Sequence, residues 1–380
     1  MRGRVIKRKG SKRWTIVLDI GRDQSTGKRQ QQWLSVPGTK KDAEKKLAEL
    51  MHQLDTGAFV RPGKTTLTDF LTKWLTDYRP HISPRGFERY EGIIKSHIIP
   101  ALGNVKLTQL RPEQIQRYYT NEGQKLSART VRYHHAVLHV ALKTAVKWGL
   151  LTRNPADAVT PPRGQRTIMP TWDDGEVNQF LETAKTSSYY ELFYLALFTG
   201  MRRSELLGLR WRDLDLDLGQ VSVSQSLHRL KNGSFIVSEP KTAAGRRTIA
   251  LTPSTTLTFK EYYAKQKLHW SLFGIALLPD DLVFRRADNK PLRPNTITRA
   301  WEVTAARAGV RVIRLHDARH THASLMLKAH VPPKIVQERL GHAGIQITLD
   351  TYSHVTPGLQ EAAAERFDEI VLHKVSADKK

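Results

Sequence analysis

Three polar clusters in the second half of the sequence contain side chains suited to binding and transferring an anionic group. The first is Thr199-Gly200-Met201-Arg202-Arg203-Ser204-Glu205-Leu206, which follows the nearly all-apolar segment 190–198. A buried helix over that segment would hold Arg202 in place while its guanidinium binds two oxygens of an anion. An ion pair with Glu205 is the alternative role for Arg202.

The second cluster is Leu315-His316-Asp317-Ala318-Arg319-His320-Thr321-His322. On a helix, His316, Arg319 and His320 share one face because they are spaced i, i+3 and i+4. The two histidines also have the spacing of the zinc-protease motif, in which a Glu follows the first His. Here that position is Asp317, and Arg319 on the same face would repel a dication, so we expect no metal at this cluster.

The third cluster is Glu338-Arg339-Leu340-Gly341-His342, followed by Ile347-Thr348-Leu349-Asp350-Thr351-Tyr352-Ser353-His354. A single tyrosine is usually a packing residue, and the ordinary pKa of its hydroxyl is near 10. Tyr352 would therefore need a cationic, phosphate-binding site beside it to act as a nucleophile. The chain has no cysteine, which excludes disulfides, thiolate metal sites and a cysteine nucleophile.

These clusters, in this order, resemble the tyrosine recombinase (phage integrase) family. Its motifs are TGxRxxEL, HxLRH, LGH and a tyrosine about ten residues on, and each is present here. The family also has a lysine on a β-hairpin between the first two motifs, and Glu239-Pro240-Lys241-Thr242, leading to Arg246-Arg247-Thr248-Ile249, resembles it. One departure is Ala318 where leucine is usual, which changes a packing position and not a reacting one.

The resemblance implies metal-independent transfer of a DNA phosphate to and from a tyrosine, without a cofactor. In the family, two arginines hold the phosphate oxygens and the tyrosine forms a 3′-phosphotyrosyl link. A lysine protonates the leaving 5′-hydroxyl, and two histidines serve as general base and as hydrogen-bond donor. Carried over to this sequence, the catalytic set is Arg202, Lys241, His316, Arg319, His342 and Tyr352.

The charge balance favours a polyanionic partner. Lys and Arg number 61 against 36 Asp and Glu, which gives a formal net charge of +25 and a pI of about 10.2. Such an excess is typical of nucleic-acid binding, with an anionic membrane surface as the second possibility. No stretch approaches the roughly 18 apolar residues of a membrane span, and the basic segment 1–14 lacks the apolar core of a signal peptide. We therefore expect a cytoplasmic, nucleoid-associated protein of bacterial or phage origin.

Breaks in the sequence pattern divide the chain into three domains, at residues 1–57, 66–160 and 165–375. We expect a small β-sheet plus helix, an all-α bundle, and a mainly α domain with a small antiparallel sheet. By resemblance, these are an arm-type DNA-binding domain, a SAM-like core-binding domain and the tyrosine recombinase catalytic domain.

Residues 1–57 have a net charge of +8. The predicted elements are strands over 14–20 and 29–36 and a helix from Thr39. The polar run Arg29-Gln30-Gln31-Gln32 predicts a sheet face that lies in a DNA groove, with Arg29 and Gln31 as candidate contacts. A solvated sheet face is the alternative interpretation.

Residues 66–160 have a net charge of +7 and helical periodicity, with Thr68 as the first N-cap and a long helix after Ser127. Basic residues lie between the apolar positions of that helix, and a bundle this basic favours contact with phosphates. The candidate DNA contacts are Arg129, Arg132, Lys143 and Lys147.

The last domain is predicted to begin with a helix capped by Thr171 and to continue with a buried helix over 190–198. A hairpin-rich stretch follows, in which Asn232-Gly233 is a strong turn signal. Helices resume at about Pro294. By resemblance to the family's C-terminal segments, a final apolar helix from about Gly358 to Leu372 is expected to dock on a neighbouring protomer. Packing of this helix on its own protomer is the alternative.

These features predict a site-specific DNA recombinase that integrates or excises a mobile element or prophage. Its expected partners are double-stranded DNA at core and arm sites, copies of itself in a homotetramer, and an accessory bending or directionality protein. The nearest alternative is a type IB topoisomerase, which reseals the same strand after similar chemistry. A DNA-binding regulator without chemistry is a third class, although such a protein has no need of Tyr352.

Overall fold

In a computed structural model of the chain, the described residues are 3–22, 27–55, 63–164, 169–240, 243–352, 364–369 and 371. The chain divides into two compact units, residues 1–166 and 167–380. The strands are β1 (Gly3–Lys7), β2 (Trp14–Arg22), β3 (Arg29–Val36), β4 (Leu214–Asp215), β5 (Gln220–Val223), β6 (Ser226–Arg229), β7 (Phe235–Ser238) and β8 (Arg247–Ala250). The helices are α1 (Lys40–Asp55), α2 (Leu67–Tyr78), α3 (Pro84–Ile93), α4 (Ile99–Leu102), α5 (Pro112–Gly123), α6 (Ala128–Lys147), α7 (Asp174–Ala184), α8 (Tyr190–Thr199), α9 (Arg203–Leu207), α10 (Pro253–Ser271), α11 (Pro294–Arg307), α12 (Asp317–Lys328), α13 (Pro333–Leu340) and α14 (Ile345–Tyr352).

The N-terminal sheet is antiparallel, in the order β1-β2-β3. Strands β2 and β3 and helix α1 confirm the predicted elements, and Thr39 caps α1 through reciprocal bonds with Asp42. The sequence pattern does not predict β1, a short edge strand in which Arg4 and Lys7 flank the apolar residues. The sheet packs on α1 through a core that includes Ile16, Leu18, Ala43 and Leu50.

Helices α2 to α6 surround a second core, centred on Trp74, Tyr119 and Leu138. The predicted cap Thr68 is wrong, because Thr66 caps α2. The Thr66 hydroxyl accepts the Asp69 N–H at 3.1 Å, and the Asp69 carboxylate accepts the Thr66 N–H at 2.9 Å. This capping box satisfies two backbone donors at once, which Thr68, inside the first turn, cannot do.

The second unit has the largest core, in which Trp172 stacks on Trp301 with ring centroids 5.0 Å apart. The predicted cap Thr171 is also wrong. Asp173 caps α7, since its carboxylate accepts the Glu176 N–H at 2.8 Å and the Glu176 carboxylate accepts the Asp173 N–H at 3.0 Å. The buried helix α8 and the start of α11 at Pro294 confirm the predictions.

Two small antiparallel sheets, β4-β5-β8 and β6-β7, confirm the hairpin-rich stretch. Gly233 adopts a φ of +89° in the turn between β6 and β7, as the Asn-Gly pair predicts. Helix α10 is not predicted, because apolar residues lie on its exposed side as well as in its core contacts and the amphipathic pattern is lost. The remaining signal is its start, where Thr252 caps the helix and Pro253 occupies the first position.

The fold class is confirmed: a small sheet with a helix, a helical segment, and a mainly helical unit with small antiparallel sheets. The three-domain boundaries stay a prediction. Of the final helix predicted over 358–372, residues 364–369 and 371 are helical, and the others lie outside the described residues. Within the described ranges, no helix is long and apolar enough to cross a membrane.

Candidate active site

Arg202 is positioned by the turn that ends the buried helix α8. Gly200 closes α8 with a φ of +63°, and a Cβ there would lie 2.7 Å from a methyl group of Leu340. Only glycine adopts this left-handed conformation and also avoids the contact with Leu340 without strain. The chain then reverses so that Arg202 becomes the N-cap residue of α9, which brings the first and third sequence clusters together.

Arg202 does form the ion pair that its sequence context suggests. Its Nη1 lies 2.7 Å from Oε1 of Glu205, while 38% of its side chain stays exposed. Buried Arg247 binds the other oxygen of the same carboxylate, with Nη2 2.9 Å from Oε2. Burial alone would raise the pKa of Glu205, but the hydrogen bond from Arg247 and the charges of both arginines hold it below its ordinary value. Glu205 therefore holds Arg202 in place and leaves part of it open to a ligand.

Arg319 is only 3% exposed and joins two helix ends. Its Nη1 donates to the carbonyl of Gly200 at 2.9 Å, and its Nη2 donates to the carbonyl of Leu340 at 2.6 Å. These bonds satisfy orphan carbonyls at the ends of α8 and α13. Arg319 thus has a structural role in addition to the catalytic one that the sequence predicts.

His316 and His320 lie together at the start of α12, with their rings edge to face and centroids 5.6 Å apart. Desolvation, followed by the charge of Arg319, lowers the pKa of His316. Desolvation and His316 lower the pKa of His320 to about 4. Buried Asp317 is bound by Arg314, whose Nη2 lies 2.7 Å from its carboxylate, so its charge is already paired.

His342 completes the cluster from the end of α13. Its Nδ1 lies 2.8 Å from Oγ1 of buried Thr348. Desolvation, followed by the charges of Arg319 and Arg202, lowers the pKa of His342 to about 3. The same two arginines act on His316. The structure therefore brings Arg202, Arg319, His316 and His342 together, as the sequence predicts, with both imidazoles neutral at pH 7.

Two predicted catalytic groups cannot be placed in this way. Lys241 lies outside the described residues, in the connection between β7 and β8. Tyr352 is the last residue of α14, one helical turn after Thr348, and its side chain is outside the described part of the structure. Tyr262 is a poor substitute nucleophile, because its hydroxyl is bonded to the Val283 carbonyl and burial raises its pKa.

Sequence reasoning misses a second layer of cationic and imidazole groups behind the site. His322 accepts the Arg339 Nε–H at Nε2, 3.1 Å away, and therefore donates from Nδ1 to the Leu197 carbonyl at 2.8 Å. Burial and Arg339 lower the pKa of His322 to about 3, so it stays neutral. Arg247 also donates to the Arg339 carbonyl at 2.7 Å. These residues stand next to the motifs in sequence, but no spacing rule identifies their contacts.

The structure divides the polar residues predicted to form the DNA-binding face of the N-terminal sheet between the two faces of β3. Arg29 is paired with Asp19 on β2, Nη2 to Oδ2 2.6 Å, and Gln31 is exposed. The four polar residues 29–32 do not form one face, since side chains alternate along β3 and Gln30 and Gln32 are half-buried. Trp33 shares the face of Arg29 and Gln31 and is 47% exposed, a candidate contact that the sequence analysis does not identify.

The predicted contacts on α6 do share one surface. They share one side of the helix because 18 residues, about five turns, separate Arg129 from Lys147 and 11 residues, about three turns, separate Arg132 from Lys143. Tyr133 lies one turn after Arg129, and all four basic residues are exposed: Arg129, Arg132, Lys143 and Lys147. The guanidinium of Arg89, on α3, lies 3.5 Å from the ring centroid of Tyr133. Hydrogen bonds from Arg89 and Arg129 lower the pKa of the Tyr133 hydroxyl. Arg89 and Tyr133 are thus candidate contacts that the sequence analysis misses.

Two family models match the chain. The phage integrase family model matches residues 171–358, and the phage integrase N-terminal SAM-like domain model matches residues 66–122. The first range contains all three sequence clusters through Tyr352. The chain belongs to the tyrosine recombinase (phage integrase) family. It is therefore an enzyme of site-specific DNA recombination, as the motifs predict.

Relatives of this recombinase match nearly its whole length. A tyrosine recombinase XerC-like protein of Caldanaerobacter subterraneus subsp. tengcongensis is 28% identical and covers 96% of this chain and 97% of its own. The ICEBs1 integrase of Bacillus subtilis is 25% identical, and the match covers 96% of this chain and 100% of that protein.

Two solved structures share the fold. The Tn1549 transposon integrase in complex with a circular intermediate DNA has a TM-score of 0.67 at 21% identity over 80% of this chain and 100% of that one. A lambda integrase tetramer bound to a Holliday junction has a TM-score of 0.60 at 18% identity, with 93% and 95% covered.

Proposed function

We propose that this recombinase cleaves and rejoins DNA strands through a 3′-phosphotyrosyl intermediate on Tyr352, and so integrates or excises a mobile element or prophage. The observation that carries the proposal is the convergence of Arg202 and Arg319 with two neutral imidazoles. Such a site presents fixed positive charge to a phosphate and keeps groups that can accept or share a proton.

The arginines bind the scissile phosphate through its non-bridging oxygens. Arg202 is held by Glu205 and Arg319 by two carbonyls, so neither needs to reorganise when negative charge grows in the transition state. His342 donates a hydrogen bond to the same phosphate. The negative charge of the phosphate offsets the positive charges of the two arginines, which lower the pKa of His342. The pKa of His342 therefore rises when the phosphate binds, and the hydrogen bond from the imidazole to the phosphate becomes stronger.

Strand cleavage forms a bond between phosphorus and the Tyr352 oxygen and breaks the bond to the 5′-oxygen. The tyrosine proton passes to neutral His316, and Lys241 supplies a proton to the leaving 5′-oxygen. The phosphodiester energy is kept in the phosphotyrosine, so no nucleotide cofactor is consumed. Attack by a 5′-hydroxyl from the other duplex reverses the steps and joins the new strand.

The substrate that we propose is double-stranded DNA, held by two basic surfaces of the first unit. The face of α6 with Arg129 and Lys143 contacts core-site phosphates, and the β3 face with Arg29 and Gln31 contacts arm sites. Two duplexes are exchanged by a homotetramer, and an accessory bending or directionality protein assists. The assembly is supported by the lambda integrase tetramer on a Holliday junction, whose fold this chain shares. Since the substrate is chromosomal DNA, the proposed location is the cytoplasm.

A nicked suicide substrate tests the chemistry, because loss of the short 5′-strand traps the covalent intermediate. We expect the wild type to form an adduct that survives denaturation, and Tyr352→Phe to bind DNA within a fewfold of the wild type without forming it. Tyr263→Phe, which removes the hydroxyl of a half-exposed tyrosine in the same unit, is the matched control. An adduct in Tyr352→Phe would move the nucleophile elsewhere.

Product analysis separates the alternative functions. Exchange of strands between two attachment-site duplexes supports recombination, whereas relaxation of supercoils without exchange supports a type IB topoisomerase. Binding with neither product would indicate a DNA-binding regulator.

A further inference from the structure

A cluster of metal-ligating side chains lies in the helical segment of the first unit, which contains none of the predicted catalytic residues. His97, Glu122 and His134 each offer one ligand atom, and these atoms lie within 4.8 Å of one another. In the part of the chain that the structure describes, this is the only such group of three or more residues. We propose that these three residues form a zinc site.

The three ligands come from three different helical elements. His97 lies in a π-helical turn, Ile94–Ile98, between α3 and α4. Glu122 lies near the end of α5, and His134 lies in the middle of α6. Turns of π-helix occur often at functional sites because they redirect a side chain within a helix. A metal bound here would crosslink the helical segment.

The donor set fits zinc in kind and nearly in distance. Two imidazoles and a carboxylate, with a water as fourth ligand, form a common tetrahedral zinc site, whose ligand atoms are about 3.3 Å apart. His97 Nδ1 is 2.7 Å from Glu122 Oε2, and the His97 and His134 ring centroids are 4.7 Å apart. Small side-chain rotations therefore bring all three atoms to bonding distance.

The second layer of the cluster also suits a metal. The Tyr118 hydroxyl lies 2.8 Å from Nδ1 of His134, which is only 1% exposed. This bond fixes the ring and directs Nε2 away from Tyr118, the arrangement that outer partners give to metal-bound histidines. Tyr118 and Glu122 lie one turn apart on α5, so one helix supplies both a ligand and the support for another.

The electrostatics differ from those of the catalytic histidines. At His320, the nearby guanidiniums of Arg319 and Arg314 oppose a cation. At the cluster, the Glu122 carboxylate lies 2.7 Å from Nδ1 of His97. A dication at this cluster therefore meets a carboxylate, which favours its binding, in a chain that is otherwise strongly basic.

Zinc titration of the metal-stripped, untagged full-length chain tests the proposal, with cobalt as the spectroscopic probe. We expect one zinc per chain, and tetrahedral cobalt absorption bands that zinc abolishes. Glu122→Gln and His97→Gln should weaken binding by more than about 100-fold, and Tyr118→Phe by about 10–100-fold. His135→Gln is the matched control, because His135 makes the same kind of bond to Tyr119, 3.0 Å, on the same two helices outside the cluster.

Circular dichroism of each variant establishes that the helices are intact before binding is compared. No stoichiometric zinc binding by the wild type would overturn the proposal. Binding that survives both Glu122→Gln and His97→Gln, or that is lost in His320→Gln, would place the metal elsewhere and overturn it as well. The proposal is independent of the recombination chemistry, which Tyr352→Phe tests separately.

Discussion

His342 Nδ1 lies 2.8 Å from Oγ1 of Thr348, and this hydrogen bond ties the third sequence cluster to the helix that ends in Tyr352. Thr348 is fully buried, and Tyr352 follows one helical turn later, about 6 Å along the axis. The orientation of the imidazole that we propose to bind phosphate and the position of the helix that ends in the proposed nucleophile are therefore coupled through one hydroxyl.

Thr348→Val should weaken catalysis while leaving DNA binding intact. Valine keeps the shape of the side chain but cannot bond to His342, and a hydrogen bond of this kind contributes about 1 kcal/mol. We expect single-turnover cleavage to fall by about fivefold to tenfold, measured on the suicide substrate. Thr348→Ser, which keeps the hydroxyl, should cleave at close to the wild-type rate. Equal rates for the valine variant and the wild type would show that the bond does not position His342.

Arg202→Lys and Arg319→Lys should both reduce cleavage but differ in their effect on stability. An ammonium cannot hold two phosphate oxygens in one plane, so we expect each variant to lose about 10²–10³ in single-turnover rate. Arg319→Lys should also lower the free energy of unfolding by about 2 kcal/mol or more, since the bonds to the Gly200 and Leu340 carbonyls are disrupted.

Arg286→Lys is the matched control for the arginine pair. Its side chain is 38% exposed and paired with Asp288 at 2.9 Å, as Arg202 is with Glu205. Chemical denaturation and cleavage are measured on all three variants. Wild-type cleavage by Arg202→Lys would reduce Arg202 to a structural ion pair, and unchanged stability of Arg319→Lys would contradict its role at the helix ends.

The elements predicted correctly are those whose local sequence alone determines them. Strand β3 is followed by Pro37-Gly38, which break the extended pattern, α6 follows a Ser N-cap, and Asn232-Gly233 forms the turn between β6 and β7. One capping error has a sequence remedy, because Thr66 has Asp69 three positions later whereas Thr68 has a leucine there. Thr171 and Asp173 are both followed by an acidic residue at that spacing, so the pattern does not distinguish them. Strand β1 and helix α10 lack a period that reveals them, since one is a short edge strand and the other exposes apolar residues.

The candidate site also combines residues that the sequence predicts with contacts that it does not. The order of the motifs predicts four residues that the structure brings together, Arg202, His316, Arg319 and His342, because the proposed chemistry sets their types. It does not predict that Arg247 shares the carboxylate of Glu205, or that Arg339 fixes the tautomer of His322. Those contacts join residues 42 and 17 positions apart, respectively, and they arise from the tertiary packing of α9, β8, α12 and α13.

Acid should destabilise the catalytic unit before the carboxylates titrate. The pKa values of His320, His322 and His342 are lowered to about 4, 3 and 3 from an ordinary value of 6.5. Between about pH 3 and 6.5 the unfolded chain therefore binds more protons than the folded one, so stability falls as the pH falls through this window. Each histidine contributes at most about 1.4 kcal/mol per pH unit, and less where solvent screens a partly exposed ring.

Denaturant unfolding measured at several pH values tests this expectation. His342→Gln removes one of the neutral imidazoles and should make the decline between pH 6.5 and 4 shallower. His330→Gln, which changes an exposed histidine outside this group in the same unit, is the control. A wild-type stability that is flat across the window would contradict the neutral, desolvated state of these rings.

The exposed face of α6 should contribute to core-site affinity through phosphate contacts. Each phosphate that a cation neutralises adds about −0.9 to the slope of log affinity against log salt. Arg129→Gln combined with Lys143→Gln should therefore flatten the slope by about 1.8 and weaken binding to all sequences alike. Lys95→Gln is the control, because Lys95 is exposed in the same unit but paired with Glu91 at 2.8 Å. The measurement is a salt titration on a minimal core-site duplex. A double variant with an unchanged slope, or a control that flattens it equally, would show that α6 does not lie on the DNA.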